Sequence, residues 1–246
     1  MKGTRVMGVD GGPELIAGLT SLSDSLEAKQ PQDVLAAAIE RYAPKIVLAC
    51  SFGAEDVVLV DMIHRINPSV PLFYLDTEFL FPETYGTRDR IIERYDLKPA
   101  QVIQMKSLLT PERQAQQYGD ALWTTDQGKD QCCKLRKVEP LTRALKEFDA
   151  WITGLRREQA PTRAHIKMIE WDERFQLVKV NPLAKWSWTE VWTYIKIYEV
   201  PYNPLHDQNY PSIGCTYCTK PVMPGEDPRS GRWQGSAKTE CGLHKA

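Results

Sequence analysis

The chain has 246 residues and almost no net charge: 31 lysines and arginines face 32 aspartates and glutamates, leaving −1 at pH 7. No overall field draws it to nucleic acid or to an acidic membrane, although a local basic pocket remains compatible with that balance. It lacks any apolar run near the roughly 20 residues that span a bilayer, and it lacks the apolar core of a secretory signal near its first residues. We therefore expect a cytoplasmic protein with neither a membrane nor a nucleic-acid partner. Internal repeats and low-complexity stretches are missing too. What the chain does have is six cysteines. In a reducing compartment these point to metal binding or catalysis and away from a disulfide framework.

Two cysteine pairs stand out, Cys132-Cys133 and the C-x-x-C of Cys215 and Cys218. A C-x-x-C turn puts two thiolates on one side of a tight loop, where they can share a soft metal centre. Adjacent cysteines bridge each other poorly, because neighbouring Cα atoms lie about 3.8 Å apart whereas disulfides prefer about 5.5–6 Å. Two such thiolates can go to different irons, so the reading is an iron–sulfur site, with structural zinc as its rival. Cys241 has no such partner and is a candidate nucleophile. His244 and Lys245 would favour its thiolate, and Glu240 would oppose it. Cys50 reads as a small core residue.

The rest of the chain alternates between two periods. Leu15, Leu19, Leu22 and Leu26, then Val34, Leu35, Ala38, Ile39 and Tyr42, recur at helical spacing. Apolar runs at residues 45–50, 71–75, 101–105, 150–153 and 175–180 have strand length. Such alternation argues for an α/β domain with a mainly parallel twisted sheet flanked by helices. The first strand runs into Ser51-Phe52-Gly53-Ala54-Glu55-Asp56 and a helix, forming an anion-binding turn without the lysine of a nucleoside-triphosphate P-loop. The second delivers Asp76-Thr77-Glu78 to the same edge, placed to read a ribose or base. The aromatics of residues 79–85 offer either an adenine slot or packing.

Tyr118 to Asp130 reads as loop, and the helix after the cysteine pair as reaching about Phe148. On that helix Cys133 and Lys137 sit four apart and face one way, which aims an ammonium at the metal centre. Lys134 and Arg136 read as a solvated face. Arg156, Arg157 and Arg163, just past a strand end, form a candidate oxyanion clamp. Ser187 and Glu190 have capping-box spacing. Beyond Val200 the chain is irregular, read as an ordered cluster loop and a mobile tail containing Arg229, Arg232 and Cys241. The strand-end loops thus converge on a rim suited to a nucleotide bearing a compact oxyanion.

From Lys45 to His244 the sequence resembles the assimilatory adenylyl-sulfate (APS) reductases, relatives of the phosphoadenylyl-sulfate (PAPS) reductases in the PP-loop superfamily. The resemblance rests on Ser51–Asp56, Asp76-Thr77-Glu78 with Phe81-Pro82-Glu83-Thr84-Tyr85, Cys132-Cys133 with Arg136-Lys137, and Gly154-Leu155-Arg156-Arg157 with Arg163. Tyr210 to Cys218, Gly231-Arg232-Trp233 and Lys238 to His244 complete it. At Glu78 many such enzymes have glycine instead.

This resemblance implies a PP-loop fold with a nucleotide-binding reductase domain over residues 1–205 and a segment over 206–246 carrying cluster ligands and the tail. It implies one [4Fe–4S] cluster on Cys132, Cys133, Cys215 and Cys218. Cys241 would attack the sulfur of adenylyl sulfate, expel AMP and be reset by thioredoxin or a glutaredoxin-like reductant, releasing sulfite for sulfate assimilation. Sulfate contacts would fall to Lys137, Arg163, Arg229 and Arg232, and nucleotide contacts to Ser51, Gly53, Glu55, Thr77, Phe81 and Gly154. His244 joins the substrate-binding set. A homo-oligomer is compatible with the sequence. The alternatives are a PAPS or dual-substrate reductase and, further off, a cluster-bearing ATP-dependent PP-loop enzyme. A zinc-stabilised nucleotide-binding regulator is a rival from another class.

Overall fold

Short apolar runs bounded by polar turns become the strands of one sheet. In the computed structural model, which describes residues 11–234 together with 236, 238, 240, 242 and 243, these are β1 (Ile46–Ala49), β2 (Leu72–Asp76), β3 (Val102–Lys106), β4 (Ala150–Ile152), β5 (Ile169–Asp172) and β6 (Leu177–Val180). Their order across the sheet is β3-β2-β1-β4-β6-β5. Every pairing is parallel except β5 against β6. Side chains alternate between two buried faces, as the period of two requires. Ile46, Leu48, Tyr74, Ile152 and Val178 join one core, and Val47, Phe73, Trp151 and Leu177 the other.

Helices cover both faces: α1 (Pro13–Leu26), α2 (Pro31–Tyr42), α3 (Ala54–Ile66), α4 (Pro82–Arg94), α5 (Pro111–Tyr118), α6 (Asp126–Cys133), α7 (Glu139–Leu145) and α8 (Trp188–Ile197). Proline opens α1, α2, α4 and α5. There its missing N–H costs nothing and its fixed φ suits the helix. Ser187 caps α8, accepting from the Glu190 N–H while the Glu190 carboxylate accepts from Ser187, so the capping box predicted from sequence is formed.

Three expectations are corrected. Residues 118–130 are not all loop, because Thr125 caps α6 by accepting from the Gly128 N–H at 3.1 Å. Helix α5 and edge strand β5 were absent from the sequence reading. The signal for α5 lay in Thr110-Pro111-Glu112, a cap followed by proline and an acid, but its face is largely polar. The helix after the cysteine pair is not uniformly α either. A π-helical turn, Lys134–Val138, joins α6 to α7, its Glu139 N–H reaching back to the Lys134 carbonyl.

The chain leaves the carboxyl ends of β1 and β4 in opposite directions across the sheet, toward β2 and toward β6. A crevice opens at such a reversal. The irregular segment beyond α8 returns to that edge: Leu80 bridges Cys215, Thr219 bridges Arg232, and the Trp233 N–H donates to the Cys218 carbonyl at 3.1 Å.

Candidate active site

One cavity of about 410 Å³ occupies the crevice. At one side stands the turn after β1. Here α3 begins behind Gly53, which has no side chain to cap the first-turn N–H groups that the helix itself leaves unused. The turn is braced from within. Asp56 accepts from both the backbone N–H and the hydroxyl of Ser51, each at 2.6 Å. Phe52 takes φ 59° while its ring lies buried edge-on to Tyr74, a left-handed conformation that only a tightly packed loop sustains in a non-glycine residue. Gly154 packs directly on Asp56, and a Cβ there would overlap Asp56 Oδ1.

Burial pushes the Asp56 carboxyl up to about 6, with Glu55 adding to the rise and the Ser51 hydrogen bonds opposing it. Because its folded value lies above the ordinary 3.8, Asp56 stabilises most when protonated, and that contribution is lost as pH climbs from about 4 to 6. The span corresponds to about 3 kcal/mol at most. Asp56→Asn cannot ionise, so its stability profile is expected to lose this downward slope. Unfolding midpoints of the two proteins between pH 4.5 and 7 would check it, and parallel profiles would refute it.

Cations share this cavity. Lys137, Arg163, Arg229 and Arg232 all line it, as do Ser51, Gly53, Glu55, Thr77 and Gly154. Phe81 does not: it precedes α4 and packs edge-on against Tyr210. The neighbouring aromatics likewise serve packing, Phe79 against Trp123 and Tyr217 and Tyr85 through its hydroxyl to Asp76. Cys241 and His244 lie outside the described residues.

The three arginines past β4 separate in role. Arg157 grips Glu27 at 2.5 and 3.0 Å and does not line the cavity. Arg156 donates to Glu55 at 2.8 Å. Arg163 forks Glu240 at 3.0 and 2.8 Å. Gln159, absent from the sequence-level candidates, ties these groups together: its amide donates to Glu55 at 2.9 Å and its oxygen accepts from Arg163. Glu55 is thus already engaged by two scaffold donors.

Near these cations stand Cys132, Cys133, Cys215 and Cys218, with Cys133 and Cys215 buried. Burial first, and then the negative charge of Cys215, Cys133 and Cys218, pushes the Cys132 thiol up to about 12, while Arg136 pulls it down. Burial and Cys215 raise Cys218 as well, against Lys137, Arg232 and Lys129. Thr77 Oγ1 sits 3.3 Å from Cys215 Sγ. Among the described residues no three His, Cys, Asp or Glu stand where they could hold one metal ion.

Arg136 is a correction. It is 1% exposed and so is no solvated face. It donates to Gln114 at 2.7 Å, to the Thr77 carbonyl at 3.1 Å and to Glu78 at 3.0 Å, and lies over the Phe79 ring. Its Nη2 is buried with no hydrogen-bond partner among the described residues, as is Nε of Arg232. Soft, negatively charged acceptors beside the thiols would suit both.

Comparison with known proteins places these features in context. Residues 45–221 match the family model described as phosphoadenosine phosphosulfate reductase domain. The chain is 52% identical to the adenosine 5'-phosphosulfate reductase of Shouchella clausii, over 91% of each protein. It is 48% identical to the protein of that name from Halalkalibacterium halodurans, over 92% of this chain and 96% of the relative. The crystal structure of phosphoadenylyl-sulfate (PAPS) reductase from Candida auris superposes with a TM-score of 0.74 at 32% identity, covering 87% of this chain and 100% of that one.

Proposed function

The chain belongs to the phosphoadenosine phosphosulfate reductase family, and from that premise we propose that it reduces adenylyl sulfate to sulfite and AMP. The observation that carries this reading is a cavity lined both by the turn that opens α3 and by Lys137, Arg163, Arg229 and Arg232. A phosphosulfate anhydride on an adenosine has its negative charge at one end. In this reading the cationic end takes the sulfo group, while the Ser51 turn and Gly154 take the nucleotide.

The chemistry then needs a nucleophile in line with the sulfo–oxygen bond. The Cys241 thiolate attacks sulfur, the bond to the AMP phosphate oxygen breaks, and AMP leaves with that electron pair. Guanidinium and ammonium groups placed where negative charge accumulates lower the barrier. A dithiol reductant, thioredoxin or a glutaredoxin-like protein, then attacks the Cys241 side of the S-sulfonate. Two electrons from the dithiol reduce the sulfur to sulfite, the dithiol becomes a disulfide, and Cys241 returns as a thiol.

The four cysteines are read as ligands of one [4Fe–4S] cluster. Four cysteines from two separate segments, with buried guanidinium nitrogens on Arg136 and Arg232 that have no hydrogen-bond partner among the described residues, suit a polyanionic cluster better than a lone ion. Bound there, the cluster would supply a fixed negative centre that holds the nearby cations in place. Lys137 and Arg232 both line the cavity and act on Cys218, so both are shared between cluster and substrate.

The purified protein is expected to be brown, to contain about four irons per chain and, with thioredoxin, to release sulfite from adenylyl sulfate in preference to its 3'-phosphorylated form. Equal or greater turnover of the 3'-phosphorylated nucleotide would replace the proposed substrate. An iron-free, colourless and fully active protein would remove the cluster from the reading.

A further inference from the structure

The cationic end of the cavity is filled by the chain itself. Both carboxylate oxygens of Glu240 are taken: Oε1 accepts from Arg163 Nε at 3.0 Å, and Oε2 accepts from Arg163 Nη2 at 2.8 Å and Arg229 Nη2 at 3.2 Å. Two oxygens on a guanidinium fork is the geometry with which arginine also binds a sulfo or phosphoryl group. The side chain of Glu240 is 12% exposed and that of Arg163 9%, so little water separates the pair from the cavity. Arg163 has no second pose to offer, since its remaining nitrogen is held by Gln159.

The flanking described residues hold this segment at the same place. Lys238 pairs with Asp130, the Gly242 carbonyl accepts from Arg174, and Leu243 packs into the apolar cluster of Trp151 and Phe175.

We propose that Glu240 is an internal competitor for the subsite that takes the terminal anion of the nucleotide, occupying Arg163 and Arg229 until that anion arrives. The proposal rests on the nucleotide reading given above. Its consequence is a coupling. The sulfo group and Glu240 cannot share the same donors, so seating the substrate releases the residue that immediately precedes Cys241.

A tethered competitor weakens the apparent affinity of any ligand that must expel it, and only of such ligands. ADP carries a phosphoryl group where the substrate carries its sulfo group, whereas AMP ends one group short, and neither can sulfonate the protein. Titration calorimetry of full-length holoprotein is expected to show Glu240→Gln binding ADP about tenfold more tightly than wild type, equivalent to ~1.4 kcal/mol. AMP affinity should be unchanged, and Glu240→Asp, which keeps the charge, should stay near wild type for both. If Glu240→Gln binds ADP no better, or gains equally for AMP, Glu240 does not compete at the terminal subsite and the proposal fails while the nucleotide reading stands. If wild type binds neither nucleotide, the nucleotide reading fails and takes the competitor with it.

Discussion

Cys241→Ser is expected to bind nucleotide as wild type does and to release no sulfite, a loss of more than about a thousandfold, as removal of other enzymatic nucleophiles produces. Serine keeps nearly the same shape but replaces a thiolate available near neutral pH by a hydroxyl that stays protonated there. The cavity is lined by groups other than Cys241, so binding should survive. The decisive measurement is made on wild type. With substrate and no reductant, the peptide containing Cys241 should gain the mass of one SO₃ group, in step with AMP formed. An unmodified peptide alongside stoichiometric AMP would show that the sulfo group goes elsewhere, and wild-type turnover by Cys241→Ser would remove that thiol from the reaction.

Arg136→Ala carries the largest expected effect on stability. The guanidinium is buried between three elements: Gln114 on α5, the Thr77 carbonyl and Glu78 after β2, and the π-helical turn from which it springs. Removing it leaves the Glu78 carboxylate and the buried Gln114 oxygen without their donor. Deleting one partner of a buried ion pair costs about 3–5 kcal/mol, measurable as a shift in denaturant midpoint at unchanged slope. Glu78→Ala in the Arg136→Ala background should add little, because the two side chains act through each other. A loss below about 1 kcal/mol would mean that the pair is energetically idle. Glu78 sits at φ 60°, a conformation that favours glycine. The strain is tolerated here in a residue whose carboxylate faces Arg136 and, at 3.7 Å, Lys106.

The sequence made the sheet readable because its strands are buried on both faces. Residues 46–49 and 150–152 are apolar without interruption, and such runs leave little choice of structure. Strand β5 escaped because Ile169-Glu170-Trp171-Asp172 lies at an edge, half polar and four residues long. Helix α5 escaped because its buried contact is Gln114, a polar residue that hydropathy does not flag.

In the site, Arg163 was legible as a cation past a strand end, Lys137 by its spacing from Cys133, and Arg229 and Arg232 only through the family resemblance; the structure gathers all four around one cavity. Their division of labour was not. Arg136, Arg156 and Arg157 look alike in sequence, yet each is spoken for by a distant carboxylate, Glu78, Glu55 and Glu27 respectively. Pairings across 58, 101 and 130 positions leave no local pattern to read. Gln159 was hidden for the same reason, since an uncharged amide in a loop has no periodicity.

The widened turn at Lys134–Val138 has an evolutionary corollary. Such a turn is what a regular helix becomes on accepting a single inserted residue without breaking. Restoring a regular helix by deleting one residue would rotate everything upstream by about 100° about the axis relative to α7. Cys132 and Cys133 would then point away from the C-x-x-C loop while α7 kept its seat on the sheet. The angular phase of the cysteine pair is therefore set by the length of this one turn, and chain length between the pair and Pro140 should tolerate substitution far better than insertion or deletion.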